Sequence, residues 1–271
     1  MSSLRRHWPS LLSNGQSGWV FVLPSIVLAA LFGVPVLALV VRAAGSDFLA
    51  SISSSTALQA LRLSLLTSVL SLVVTVVFGT ALAYLLARQK FPLKPWVEIL
   101  VDLPIVLPPS VAGLALLMAF GRVGLVGPLL SSVGIQLPFT TAAVVIAQTF
   151  VSAPLYVRAA RIGFAQVDVQ LEEAAYVEGA NPWQLFREVM FPLAGNALVS
   201  GAILCWARAL GEFGATILFA GNLEGVTQTM PLAVYIGLEK SLGIAVALSV
   251  MLLGVSIVLM AATRRLESRE H

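Results

Sequence analysis

Apolar residues in this chain follow neither a strand nor an amphipathic-helix period; they run on, and short polar stretches separate the runs. Such runs predict helices that are apolar all round, the pattern of membrane spans, which need about 20 residues to cross about 30 Å of hydrocarbon. Six are predicted, at about residues 19–41, 63–87, 103–120, 139–157, 193–219 and 242–262. The first has 23 residues, against roughly 7 to 15 for the core of a signal peptide, so it reads as a retained span despite the small residues Ala43, Ala44 and Gly45. Trp19 marks its interface end, and Pro24 and Pro35 kink it.

The third run is interrupted at its start by Asp102-Leu103-Pro104-Ile105-Val106-Leu107-Pro108-Pro109-Ser110. Each proline deletes a backbone donor and clashes with the preceding turn, so no helix is expected across this segment, and a fresh one is expected from near Pro109 to Phe120. Irregular backbone at membrane depth survives only where protein or water covers it, which makes Pro108, Pro109 and Ser110 candidates for a pathway wall. A loop leading into an ordinary helix fits the same residues. The glycine-rich stretch at 121–128 has no strand before it, and no Gly-Lys-Ser/Thr occurs in the chain, so it reads as a turn and not as a nucleotide loop. Residues 221–240 read as a wetter connection.

Composition agrees with the pattern. The chain is 58% hydrophobic and 11% charged, with mean hydropathy +0.95, outside the range of soluble globular domains. It is read as an all-α, polytopic integral membrane protein. The net charge of +3 is spread over span ends, as membrane orientation requires, and leaves no nucleic-acid footprint. Cys205 is alone, and His7 and His271 lie at the extreme ends, which removes histidine-ligated metal centres and histidine proton relays from consideration. With the amino terminus inside, Arg5, Arg6, Arg88, Lys90, Lys94, Arg158, Arg161, Arg187, Arg264, Arg265 and Arg269 fall on the inner face, 11 of the 16 basic residues. That asymmetry places both termini, and the loop at residues 158–192, in the cytoplasm.

Residues 171–193 form the longest polar stretch. Helix formers from Val167 to Tyr176 carry acids in the opening turns, Gly179 is a natural stop, and Asn181-Pro182 can open a second helix with proline at its first position. The expected product is a helix, a tight turn and a helix, presented to water as a knob. Within the fifth run, Arg208, Glu212 and Thr216 recur every fourth residue, beside a stripe of Ala207, Gly211 and Ala215. A charge at mid-bilayer costs roughly 2.5–3.5 kcal/mol on insertion scales, so this pair must face protein or water. Two roles fit: lining a pathway, with Arg208 favouring an anion and Glu212 tempering it, or locking span five to a neighbour.

The spacing Glu173-Ala174-Ala175, three residues, Gly179, nine residues, Val189, one residue, Phe191-Pro192 resembles the signature loop of bacterial ABC-importer permeases. The resemblance implies a type I importer-permease fold with six spans. It also implies that Glu172, Glu173, Ala174, Ala175, Gly179, Ala180, Asn181 and Pro182 couple to a separate cytoplasmic ATPase by docking into its cleft. Residues 207–216 with Phe219-Ala220-Gly221-Asn222 resemble the molybdate and sulfate branch of that family, and residues 228–235, 103–110 and 120–122 lean towards molybdate. This implies a homodimer in the bacterial inner membrane, two ATPase subunits that bind ATP and Mg, an extracytoplasmic oxyanion-binding protein, and no cofactor on this chain. Lys90, Lys94 and Lys240 each lack the preceding glycine of a Walker A loop, so the chain is read as a transport subunit and not an enzyme, with energy arriving through a partner and transport by alternating access. Sulfate and tungstate are the alternative cargoes. An ion-coupled secondary transporter, the alternative of another class, would place more coupling acids in its spans than Glu212.

Overall fold

A computed structural model of the chain describes residues 17–43 and 48–267, with side chains except at residues 17–20, 259 and 262–267. Arg5, Arg6, His7, Ala44, Gly45, Arg269 and His271 lie outside the described residues, as do the side chains of Trp19, Arg264 and Arg265. All regular structure among the described residues is helical. Two compact units are present, Met1–Ser46 and Asp47–His271. The first contains α1 (Ser17–Ala43), which keeps Pro24 and Pro35 inside a continuous helix.

The second unit begins with α2 (Phe48–Ile52), α3 (Ser55–Arg88), α4 (Lys94–Val106), α5 (Pro109–Phe120), α6 (Gly127–Ser132) and α7 (Thr141–Gln166). It continues with α8 (Val169–Val177), α9 (Pro182–Gln184), a π-helical turn (Leu185–Met190), α10 (Phe191–Leu193), α11 (Gly195–Leu210), α12 (Gly214–Phe219), α13 (Met230–Lys240) and α14 (Leu242–Glu267). Ser54 starts α3 by accepting the Ala57 N–H at 3.3 Å. The helix then runs for 34 residues, about 50 Å at 1.5 Å per residue.

Three helices make the centre. α3 and α7 run parallel: Thr149 donates to Ser71 at 3.1 Å, the Thr80 and Tyr156 hydroxyls share a hydrogen bond at 2.5 Å, and Arg88 donates to the Val167 carbonyl at 2.5 Å. α11 runs the other way along α7, with Cys205 on Ser152 at 3.3 Å and Gly201 against Tyr156 and Ala159. The buried face of α3 carries Ser64, Thr67, Ser68, Ser71 and Thr75, small residues that let helices approach closely where lipid gives no hydrophobic drive. Trp206 reaches across to Ser68 at 3.0 Å. One flank is built by α5 and α12 on α7, around Leu116, Val144 and Phe219; the other joins α3 to α13 and α14 around Ala57, Met230 and Leu248.

Several boundaries differ from the sequence expectation. α4 passes through Pro104 and ends at Val106, so only residues 107–108 interrupt the third run. Pro104 sits near the helix end, where the missing donor leaves one carbonyl unpaired and the next turn still closes through Leu107 N–H to Leu103 O at 3.2 Å. α7 continues past 157 to Gln166, because Ala160, Gly163 and Phe164 bury its inner face, while Arg158 and Arg161 are met by Asp102 at 2.9 Å and Glu98 at 3.0 Å from α4. Residues 221–240 are not simply wet: Thr227, Thr229 and Met230 are fully buried and α13 occupies the second half. Among the described residues three helices are long and apolar enough to span a membrane, four if the pair bent by 71° between Leu193 and Gly195 counts as one span. α5 and the Leu242–Val258 part of α14 are shorter apolar helices.

The fifth run is broken as well. α11 ends at Leu210 and α12 starts at Gly214, so Arg208, Glu212 and Thr216 do not share one helical face. Glu212 is 1% exposed and sits in the gap. One carboxylate oxygen holds Arg208 at 2.7 Å, and the other accepts the Ala215 N–H at 2.8 Å, satisfying an orphan donor at the start of α12. The two breaks abut: a Cβ on Gly214 would lie 2.5 Å from Pro109 Cβ, and one on Gly113 would lie 2.7 Å from the Ala215 carbonyl oxygen.

Gly113→Ala is therefore expected to destabilise the purified protein by about 1–3 kcal/mol through overpacking, whereas Gly254→Ala, with open space around it, is expected to leave the melting temperature in detergent within error. Equal melting of the two variants would contradict the close contact of α5 with α12. Glu212→Gln alone is expected to cost about 3 kcal/mol, more than Glu212→Gln with Arg208→Met, because the single change strands a charge. Denaturation of single and double variants measures this, and equal stabilities would contradict it.

Candidate functional site

The polar loop is a built object. Asp168 caps α8 by accepting the Gln170 N–H at 3.0 Å, and Glu172 lies in its first turn, where the helix dipole favours an acid. The helix ends in a Schellman motif: Ala180 N–H bonds Ala175 O at 2.9 Å and Gly179 N–H bonds Tyr176 O at 3.0 Å. Gly179 has φ 87° there, a conformation that costs a side-chain-bearing residue about 1–2 kcal/mol. Asn181 then opens α9 with a reciprocal capping box: its side chain accepts Trp183 N–H at 3.0 Å and Gln184 N–H at 2.9 Å, and Gln184 returns to Asn181 N–H at 2.9 Å. Pro182 occupies the first helical position, where its missing donor is harmless.

The knob has two faces. Inward, Leu185 and Met190 are buried with Phe164 and Val167, and the Phe186 ring packs on Tyr84 at 5.1 Å and Phe164 at 6.1 Å. Arg88, at the end of α3, pairs with Glu172 at 3.0 Å, both side chains mostly buried. Outward, Glu173, Ala174, Gly179, Asn181 and Pro182 are exposed and Ala175 and Ala180 half-buried. Val177 is 88% and Trp183 65% exposed, apolar surface on a rigid, polar protrusion, which is the composition of a docking face. A shallow groove of about 290 Å³ runs between Ala175, Gly179, Ala180, Gln184 and Val189, flanked by Glu178 and Glu188.

All eight loop residues singled out from the sequence are thus gathered on one knob. The others are elsewhere. Pro108, Pro109 and Ser110 are exposed on the single chain at the break, Arg208 and Glu212 pair across the second break, and Thr216 is buried in α12. Arg88, Tyr84 and Phe186 were not singled out by sequence reasoning; Arg88 reads there only as a charge at a span end, since its partner lies 84 positions away. Among the described residues no three His, Cys, Asp or Glu side chains come together as a metal ion would need.

Comparisons with known proteins bear on this arrangement. Residues 75–271 match the family model described as "Binding-protein-dependent transport system inner membrane component". The chain is 42% identical over 238 residues, 88% of this chain and 90% of the other, to the molybdenum transport system permease protein ModB of Mycobacterium tuberculosis. It is 37% identical over 227 residues, 83% of this chain and 79% of the other, to the sulfate transport system permease protein CysW of Synechococcus elongatus. A crystallised bacterial ABC transporter that imports the polysaccharide alginate superposes with a TM-score of 0.76 at 18% identity, over 94% of this chain and 96% of that one, a likeness of fold alone. The match over most of the chain and these two relatives place it in one family. The chain belongs to the inner-membrane permease components of binding-protein-dependent ABC importers.

Proposed function

We propose that the chain is the permease subunit of an ATP-driven importer for a tetrahedral oxyanion, molybdate before sulfate or tungstate. It works as a homodimer in the bacterial inner membrane, with six spans per copy and both termini cytoplasmic. Two cytoplasmic ATPase subunits, which bind ATP and Mg, take the knobs into their clefts, and an extracytoplasmic binding protein delivers the oxyanion to the far end. The observation that carries this reading is the knob itself: a capped helix–turn–helix with an anchored inner face and an outer face on which exposed Val177 and Trp183 stand among polar residues.

ATP-driven closure of the ATPase pair moves the knobs together, and each knob moves the helices joined to it, α7 before it and α11 after it. The ensemble is biased between inward-open and outward-open states by that differential contact. The exposed backbone break at residues 107–110 supports a role beside the pathway or the second copy, since lipid alone cannot satisfy it. Arg208 is neutralised by Glu212, and Glu212 also holds the start of α12. This favours a bracing role for the pair over direct contact with a dianion, which an unpaired arginine would retain. The 42% identity to a molybdenum permease supports molybdate over sulfate.

The test is oxyanion competition in liposomes holding the permease, its ATPase and a binding protein. Molybdate uptake that stops without ATP hydrolysis, and that excess sulfate does not suppress, is expected; uptake that persists without hydrolysis would overturn the importer reading. Gly179→Arg is expected to lower transport per ATP hydrolysed by about tenfold, a typical coupling magnitude. The single chain leaves open space at that position but its φ of 87° strains any side chain, so Gly179→Ala run alongside, which carries the strain without the bulk, is expected to keep most of the coupling. Normal coupling in Gly179→Arg would contradict the docking of the knob.

A further inference from the structure

The knob is joined covalently to α7 and α11, yet its strongest polar contact is with neither. Arg88, in the last turn of α3, donates to the Val167 carbonyl at 2.5 Å and pairs with Glu172 at 3.0 Å, so one guanidinium grips both the start of α8 and the turn before it. The two side chains are only 13% and 16% exposed, so neither is left to water if the other departs. One turn back on α3, Tyr84 packs edge-on against Phe186 at 5.1 Å and Phe164 at 5.5 Å. The end of α3 is thus fastened to both halves of the knob.

α3 is also the element that reaches furthest from it. It is continuous from Arg88 back to Ser55, about 50 Å away by helical rise. At that far end it borders a cavity of about 340 Å³ of mixed lining, with Thr56, Asn222, Glu224 and Lys240 beside Ile236 and Leu248. Thr56 hydrogen-bonds Glu224 there, and two turns further in, Ser64 accepts the Met230 N–H at 2.7 Å, tying α3 to the start of α13. A stiff helix held at one end by the knob and at the other by the wall of a cavity transmits displacement along its length.

We propose that Arg88 is a positioning residue that makes α3 move with the knob, so that the coupling stroke reaches the cavity at the opposite end. This rests on the importer reading above. Without the Arg88–Glu172 grip the knob still drives α7 and α11, and α3 follows only through its packing on them, so less of the stroke reaches its far end.

The test uses the assembled complex of permease, ATPase and binding protein in liposomes, in a Cys205→Ala background with Ser55→Cys, an exposed position beside the cavity, as reporter. With Arg88 intact, labelling of that cysteine by a membrane-impermeant thiol reagent is expected to differ between ADP and ATP with vanadate. In Arg88→Glu and in Glu172→Arg the difference is expected to shrink severalfold and molybdate moved per ATP to fall about tenfold. The exchanged pair, Arg88→Glu with Glu172→Arg, is expected to recover most of both. Arg88→Gln, which removes the charge facing Glu172 without setting an acid against it, separates loss of the grip from charge repulsion and is expected to behave as the single charge reversals do. Nucleotide-dependent labelling that is undiminished in Arg88→Gln would overturn the proposal, as would failure of the exchanged pair when each single variant assembles. Gly179→Arg run alongside separates the two claims: if it uncouples and Arg88→Gln does not, only the role of Arg88 fails.

Discussion

Backbone amides surrounded by lipid have no water to fall back on, so every departure from the helix inside this protein must be covered by something else. That constraint explains why the two interior breaks meet. Residues 107–108 and 211–213 interrupt different helices, and Gly214 brings the second break into van der Waals contact with Pro109 at the first. Glu212 completes the junction by satisfying a donor of α12 with one oxygen and a cation of α11 with the other. The knob packs its inner face on the ends of α3 and α7, exposes its outer face and carries its own caps.

The same constraint divides the labour among the helices. α3 and α11 satisfy their backbones internally, α7 does so except at Pro154, and the three pack through small side chains, serine and threonine on α3, glycine and alanine on α7 and α11. They form a stiff centre. The short elements α4, α5 and α12 lie beside it, and α4 is held to α7 by two ion pairs whose side chains are a quarter to half exposed. Exposed pairs of this kind contribute little stability. The contrast is between a capped knob, a closely packed centre and a flank that contains the irregular backbone.

How much of this was legible in the sequence depends on whether the deciding contact is local. The turn at Gly179, the second helix opened by Pro182 and the start of α5 at Pro109 follow from chemistry within a few residues, and so did the spacing that points to the family. The extension of α7 through Arg158 and Arg161 was not legible, because two arginines after an apolar run read as its end unless Asp102 and Glu98 are known to meet them. The break at residue 211 was missed for a related reason: Gly211 reads equally well as part of a close-packing stripe with Ala207 and Ala215. The pairing of Arg88 with Glu172 is set by the parallel course of α3 and α7, which no local pattern announces.

The account stands or falls on the knob and the loop after α5 lying on opposite sides of the membrane, with the knob inside. Phe120 packs on Phe219 at the end of the bundle where α7 begins, so Val123, 96% exposed, marks the end remote from the knob. Labelling Glu178→Cys and Val123→Cys, each in a Cys205→Ala background, with an impermeant thiol reagent in intact spheroplasts and in inside-out vesicles tests this directly. The account predicts that Glu178→Cys reacts only in inside-out vesicles and Val123→Cys only in spheroplasts. Reaction of both cysteines in the same preparation, or the reverse assignment, would contradict it.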